Sequence, residues 1–207
     1  MLAEFLLRKS QTRNRDRSQR GAALVEAAIV TPLFLLLIFS VFEVGFMFRT
    51  YLLTTGASSA AGRAGSAAGA SPSADYVILR TIEHDLGLDN LKRLKSVVVY
   101  KADGPDGSVP RACLSVPVPA GVECNRYTAA EIFLPYVIEG QATGHWGCGD
   151  AAKDGGWCPT GRDSSIASAE GPEYLGVYIE MEHQYLTGFI GQTLPISVDR
   201  VVRLEPT

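Results

Sequence analysis

The longest pattern in the chain is an apolar run that has no polar face. From Ala27 to Phe48 the only charged residue is Glu43, so the segment is hydrophobic all round and lacks the stripe of a surface helix. At about 1.5 Å per residue these 22 residues make a helix of roughly 33 Å, long enough to cross a bilayer. One helix is expected over residues 22–53, with Pro32 removing a backbone donor and loosening a turn. From Leu52 to Ala70 the pattern changes to LLTTGASSAAGRAGSAAGA. This segment has two readings: a helix extension whose small side chains let another helix approach closely, or a flexible linker of glycine, serine and alanine.

After Ser71-Pro-Ser-Ala74, the spacing of Tyr76, Leu79, Ile82, Glu83 and Leu86 predicts a helix over Asp75–Leu86, with a further short turn over Leu88–Leu94. Ser96-Val-Val-Val-Tyr-Lys101 reads as a strand, ended by the turn residues Asp103-Gly-Pro-Asp-Gly107. Tyr127–Val137 fits a strand or a brief helix equally, and Gly140–Gly171 is a long loop. From Glu173 to Tyr185 the chain alternates, with Leu175, Val177, Ile179 and Met181 on one face and Tyr174, Tyr178, Glu180 and Glu182 on the other. That is a half-buried strand, and Leu194–Leu204 is its expected antiparallel neighbour across the connection Leu186–Gln192.

Charge orients this arrangement. Residues 1–20 hold six basic residues, Arg8, Lys9, Arg13, Arg15, Arg17 and Arg20, against Glu4 and Asp16, a net +4; the remainder carries thirteen basic against twenty acidic residues, a net −7. A basic flank stays in the cytoplasm, so everything after the helix is expected outside it. An acidic exported part argues against nucleic acid as a partner. The basic leader itself has no apolar periodicity beyond Leu2–Leu7 and is expected to be disordered.

The junction of leader and helix, Arg20-Gly21-Ala22-Ala23-Leu24-Val25-Glu26, is unlike a secretory cleavage site, which follows its apolar core. Gly21 with a glutamate five residues on resembles the processing site of type IV prepilins, whose peptidase cuts after the glycine on the cytoplasmic side. Val25-Glu26, the early Pro32, the small-residue segment Ala57–Ala70 with Gly62-Arg63, and the end Arg203-Leu-Glu205-Pro206 resemble the TadE/TadG-like pseudopilins of tight-adherence (Flp pilus) systems. The cysteine-containing middle carries no such likeness, and Ala27 stands where the family commonly has an aromatic residue. The resemblance implies removal of residues 1–21 by prepilin peptidase, a transmembrane and assembly helix over 22–53, and a small-residue extension or linker over 54–70. A periplasmic pilin-like domain over 71–207 completes the expected α+β arrangement, with an antiparallel sheet and disulfide-stapled loops. It also implies an inner-membrane, single-pass protein with a cytoplasmic N-terminus, and possible incorporation into the pilus. Its implied partners are prepilin peptidase, other Flp/Tad pilins, the pilus assembly platform and membrane lipid. Glu26, Pro32 and Glu43 are then the candidate packing residues.

Glu26 and Glu43 lie about a quarter turn and some 25 Å apart along one helix and cannot neutralise each other. Cleavage after Gly21 gives Glu26 a partner in the amine of Ala22. Glu43 is expected to reach the outer interface beside Arg49.

Four cysteines fall on the exported side, and their spacing favours Cys113 with Cys124 and Cys148 with Cys158, although four cysteines allow three pairings. A zinc site of His145, Cys148 and Cys158 is the sharper alternative, weakened by the absence of any Cys-x-x-Cys pair. Asp150, Asp154 and Asp163 lack the spacing of a calcium loop, and His183 reads as a structural strand residue. No phosphate-binding loop, serine nucleophile elbow or His-Glu-x-x-His helix is present. The expectation is a non-catalytic structural component with no cofactor and no metal. Two other functions compete with it: a membrane-anchored periplasmic binding module, and more weakly a tethered hydrolase or metal enzyme centred on His145.

Overall fold

The computed structural model describes residues 2–132, 146, 156–188 and 191–206; of residues 2–20 and Glu131 only the backbone is described. The chain divides into two compact units, Met1–Phe46 and Met47–Thr207. Helix α1, Leu2–Ala68, contributes to both and continues through Pro32. The leader, expected to be disordered, is helical from Leu2. Residues 2–20 contain no glycine or proline and are rich in arginine, leucine and glutamine, which lose little side-chain freedom in a helix and supply no stop signal.

In the second unit α1 is followed by α2 (Ala74–Leu91), β1 (Leu94–Ala102), β2 (Cys124–Thr128), the one-turn helix α3 (Ala129–Ile132), β3 (Tyr174–Gln184) and β4 (Thr193–Arg203). The strands form one antiparallel sheet in the order β2-β1-β3-β4. The two helical segments read from the sequence meet in α2 at a break at Gly87, whose left-handed φ of 70° other residues rarely adopt. The Tyr127–Val137 segment ends its strand at Thr128 and turns helical over Ala129–Ile132; residues 133–140 lie outside the described residues.

The sheet has a core on each face. Val97 and Val99 of β1 with Leu175, Val177, Ile179 and Met181 of β3 pack against Ile78, Leu79 and Ile82 of α2 and against Ala57 and Ala61 of α1. On the other face Val98, Tyr100 and Ala102 pack with Cys113, Cys124, Val109, Val118 and Val122. A central strand covered on both sides needs an unbroken apolar run, which explains Val97-Val98-Val99-Tyr100. Alternation in β3 is as the sequence predicts, with Leu175, Val177, Ile179 and Met181 buried and Tyr174, Tyr178, Glu180 and Glu182 partly exposed.

Cys113 and Cys124 form a disulfide that closes the second core. Their separation of 11 residues implies that Cys113→Ser with Cys124→Ser lowers stability by about 2 to 4 kcal/mol on the chain-entropy argument. Denaturant titration of the double variant checks this.

Beside the disulfide, the Tyr100 hydroxyl donates to Asp199 Oδ1 at 2.5 Å, and Asp199 Oδ2 accepts the Val109 N–H at 2.9 Å. Burial, and then this bond to the carboxylate, raise the Tyr100 phenol far above its usual value. The stabilisation is therefore complete below the unfolded-state value of about 10 and is lost as pH rises above it. Stability is expected to fall above about pH 10 less steeply in Tyr100→Phe than in the parent, as measured by denaturant titration across that range.

Candidate functional site

Gly21, Ala22 and Glu26 all lie in α1 and are exposed. Gly21 has nothing within 4 Å of the position its Cβ would take, so packing in the fold gives no reason for glycine there. A glycine inside a helix costs about 0.5 to 1 kcal/mol relative to alanine. The fold bears that cost at Gly21 without a structural return.

The apolar run is equally uncovered. Leu24 is 71% and Val41 72% exposed, with Ile29, Leu33, Phe34 and Leu37 similar, and none of the most apolar 18-residue window of Gly21–Ala68 is buried. This separates the segment from the core helix of a soluble domain, whose apolar side chains are covered by their own fold. One N-terminal helix of this length and composition fits a single-pass membrane anchor.

Glu43 departs from its expected position. It is 2% exposed, where an outward reach to the interface was expected. At about 100° per residue, Glu43 shares the helix side of Thr50, two turns on, while Arg49 lies well round the cylinder.

Within the second unit the small-residue segment is helical and faces both the sheet and helix α2. Ala57 and Ala61 are fully buried. Ser58 Oγ donates to the Val177 carbonyl at 2.9 Å, and Ser66 Oγ to the Arg203 carbonyl at 2.6 Å. Thr54 Oγ1 reaches Met181 Sδ at 3.1 Å, and Thr50 Oγ1 lies 3.2 Å from His183 Nδ1. A side chain at Gly65 would come within 2.6 Å of Ile78 Cδ1, so this glycine, unlike Gly21, is required by close packing. The spacing 50, 54, 57/58, 61, 65/66 is the i, i+3, i+4 signal of one helix face. It predicts a contact but not what the contact is with.

A second constellation had no local signal. Asp75, in the first turn of α2, is fully buried. Its Oδ1 accepts Arg162 Nη2 at 2.5 Å, and its Oδ2 accepts Asn125 Nδ2 at 2.7 Å and the Tyr127 hydroxyl at 2.6 Å. Asn125 also exchanges hydrogen bonds with the backbone of Trp157, at 2.7 Å to its carbonyl and 3.2 Å from its N–H. The Arg162 guanidinium stacks over the Trp157 ring at 4.2 Å. The network joins α2, the edge strand β2 and the loop 156–163. A carboxylate already holding three donors is a structural fastener, not a base open to substrate.

Cys158 is disulfide-bonded and has no thiolate to offer zinc. The expected pairing with Cys148 lies outside the described residues, as do His145, Asp150 and Asp154. Asp163 is engaged within its own loop, its Oδ1 accepting the Ser165 N–H at 2.8 Å. His183 is buried on the apolar face of β3, edge-on to Tyr185.

No curated protein and no solved structure matches the chain. A family match falls on the uncovered helix and the first part of the small-residue face, and implies a component associated with Tad pili: residues 21–63 are similar to the family described as TadE-like protein.

Proposed function

We propose that the chain is a minor pilin or pseudopilin, a non-catalytic structural component needed for assembly of a Flp-type pilus. The observation that carries this reading is Gly21: a glycine in an exposed helical position without a packing role, five residues before Glu26 and at the head of an uncovered apolar helix. A simple anchor has no use for that arrangement, whereas a peptidase that cuts after a small residue does. Cleavage leaves Ala22 as a free amine four residues from Glu26, and keeps the helix for assembly. The partners are then prepilin peptidase, other Tad pilins and the assembly platform, and the second unit stands on the outer side of the inner membrane.

Intact-mass and N-terminal analysis of protein from its native host are expected to place the mature start at Ala22. A chain that retains Met1–Gly21 would instead favour a membrane-anchored binding module. A bulky residue at Gly21 should block processing. Glu26→Gln should leave insertion and processing intact yet reduce crosslinking to partner pilins and the number of pili. The reason is that an opposite charge gains value when the Ala22 amine and Glu26 leave water for a packed assembly. Normal assembly in that strain would remove the proposed role of Glu26.

A further inference from the structure

One end of the second unit combines exposed apolar side chains from three separate elements. The contact of Thr50 with His183 places the last residues of β3 beside the turns of α1 at which the apolar run ends. On α1, Phe48 is 57%, Tyr51 45% and Leu52 52% exposed, and the rings of Phe48 and Tyr51 stack at 6.4 Å. Past the end of β3, Leu186 is 70% exposed, in a connection, residues 185–192, with no charged side chain. The start of β1 lies at this same end, with Leu94 opposite Met181 and the Glu182 N–H donating to the Arg93 carbonyl at 2.8 Å. The segment after the Gly87 kink leads there, bearing Leu88 at 70% exposure and then the exposed Lys92; Asp89 lies in the same segment, and Glu182 near the end of β3 pairs with Lys95.

Isolated exposed apolar residues are ordinary, but several collected at one end of a domain mark a contact surface. What covers this one follows from chain continuity: α1 carries Phe48 and Tyr51 directly out of a run long enough to span a bilayer. Aromatic residues at the end of a span, with apolar residues and a lysine around them, are the composition of a lipid interface. We infer that this end of the second unit, with Leu186 as its outlying contact, rests in the headgroup region of the membrane, so that the domain is held to lipid by a face of its own as well as by the span. The inference rests on the membrane-anchor reading of α1. It gives the domain a second attachment that must be broken when the protein leaves the bilayer.

The test uses the full chain reconstituted in phosphatidylethanolamine/phosphatidylglycerol vesicles, with and without brominated acyl chains. Trp146 and Trp157 are 6% and 4% exposed and provide a shielded background. Leu186→Trp adds an indole at the proposed contact. Ile166→Trp adds one at a position 76% exposed in the loop before β3, at the opposite end of that strand from His183. The vesicles should float with the protein, and brominated lipid should remove most of the emission added by Leu186→Trp and little of that added by Ile166→Trp. Flotation with equal quenching of the two variants overturns the inference and leaves the anchor standing. A blue shift of the Leu186→Trp emission that depends on protein density, without quenching, overturns it in favour of contact between copies. Failure to float overturns the anchor reading and the inference with it.

Discussion

Replacing Asp75 with alanine is expected to destabilise the second unit by about 3 to 5 kcal/mol, the range for removing one partner of a buried ion pair. Asp75 and Arg162 have no exposed side-chain surface, so the guanidinium left behind cannot turn to water without opening the loop. The loss spreads further, because Asn125 Nδ2 and the Tyr127 hydroxyl donate to the same carboxylate and an unsatisfied buried donor costs about 1 to 3 kcal/mol. Asp75→Asn should recover only part of the loss, since an amide accepts at one oxygen and brings no charge to Arg162. Denaturant titration of the variants measures this directly, and proteolysis of the loop 156–163 should accelerate in parallel. A change below about 0.5 kcal/mol, as at an ordinary surface position, would mean that Arg162 is solvated.

The second large effect is expected at Gly176. This residue stands opposite Tyr100 across β1 and β3, and a Cβ built there falls on the Tyr100 ring. Tyr100 is fully buried, so the ring cannot swing aside into solvent. Gly176→Val must therefore displace it, and the hydroxyl then loses Asp199, the residue that also holds the Val109 N–H. Overpacking costs about 1 to 3 kcal/mol, and a lost hydrogen bond to a charged group about 1.5 to 3, so a fall of roughly 3 to 5 kcal/mol is expected. Pairing Gly176→Val with Tyr100→Leu should return much of the steric part. If Gly176→Val alone changes stability by less than about 1 kcal/mol, the ring does not occupy that space.

Long, uniform patterns determined what they did because they rest on local physics. The apolar run Ala27–Phe48 needs no partner to declare itself a helix for lipid, since its length and its lack of charge are properties of the segment alone. The period of two in Tyr174–Glu182 fixed both the strand and its buried face, because a slip of one residue would expose Leu175, Val177, Ile179 and Met181 together. Spacing also favoured Cys113 with Cys124, now seen as a disulfide. The Gly21–Glu26 junction entered as a resemblance, and the processing and assembly roles of these residues stand as proposals. Tertiary structure decided the rest. The face of Thr50, Thr54, Ala57, Ser58, Ala61 and Gly65 promised a close approach, but only the fold showed that strands β3 and β4 receive most of it and Ile78 of α2 meets it at Gly65. The cross-strand pairing of Gly176 with Tyr100 likewise depends on what lies alongside. Asp75 and Arg162 stand 87 residues apart, and in the sequence they are an ordinary helix-start carboxylate and an ordinary loop base. No local propensity distinguishes a charge that faces water from one that meets its opposite inside. That difference exists only once the chain has closed around the pair and removed the solvent.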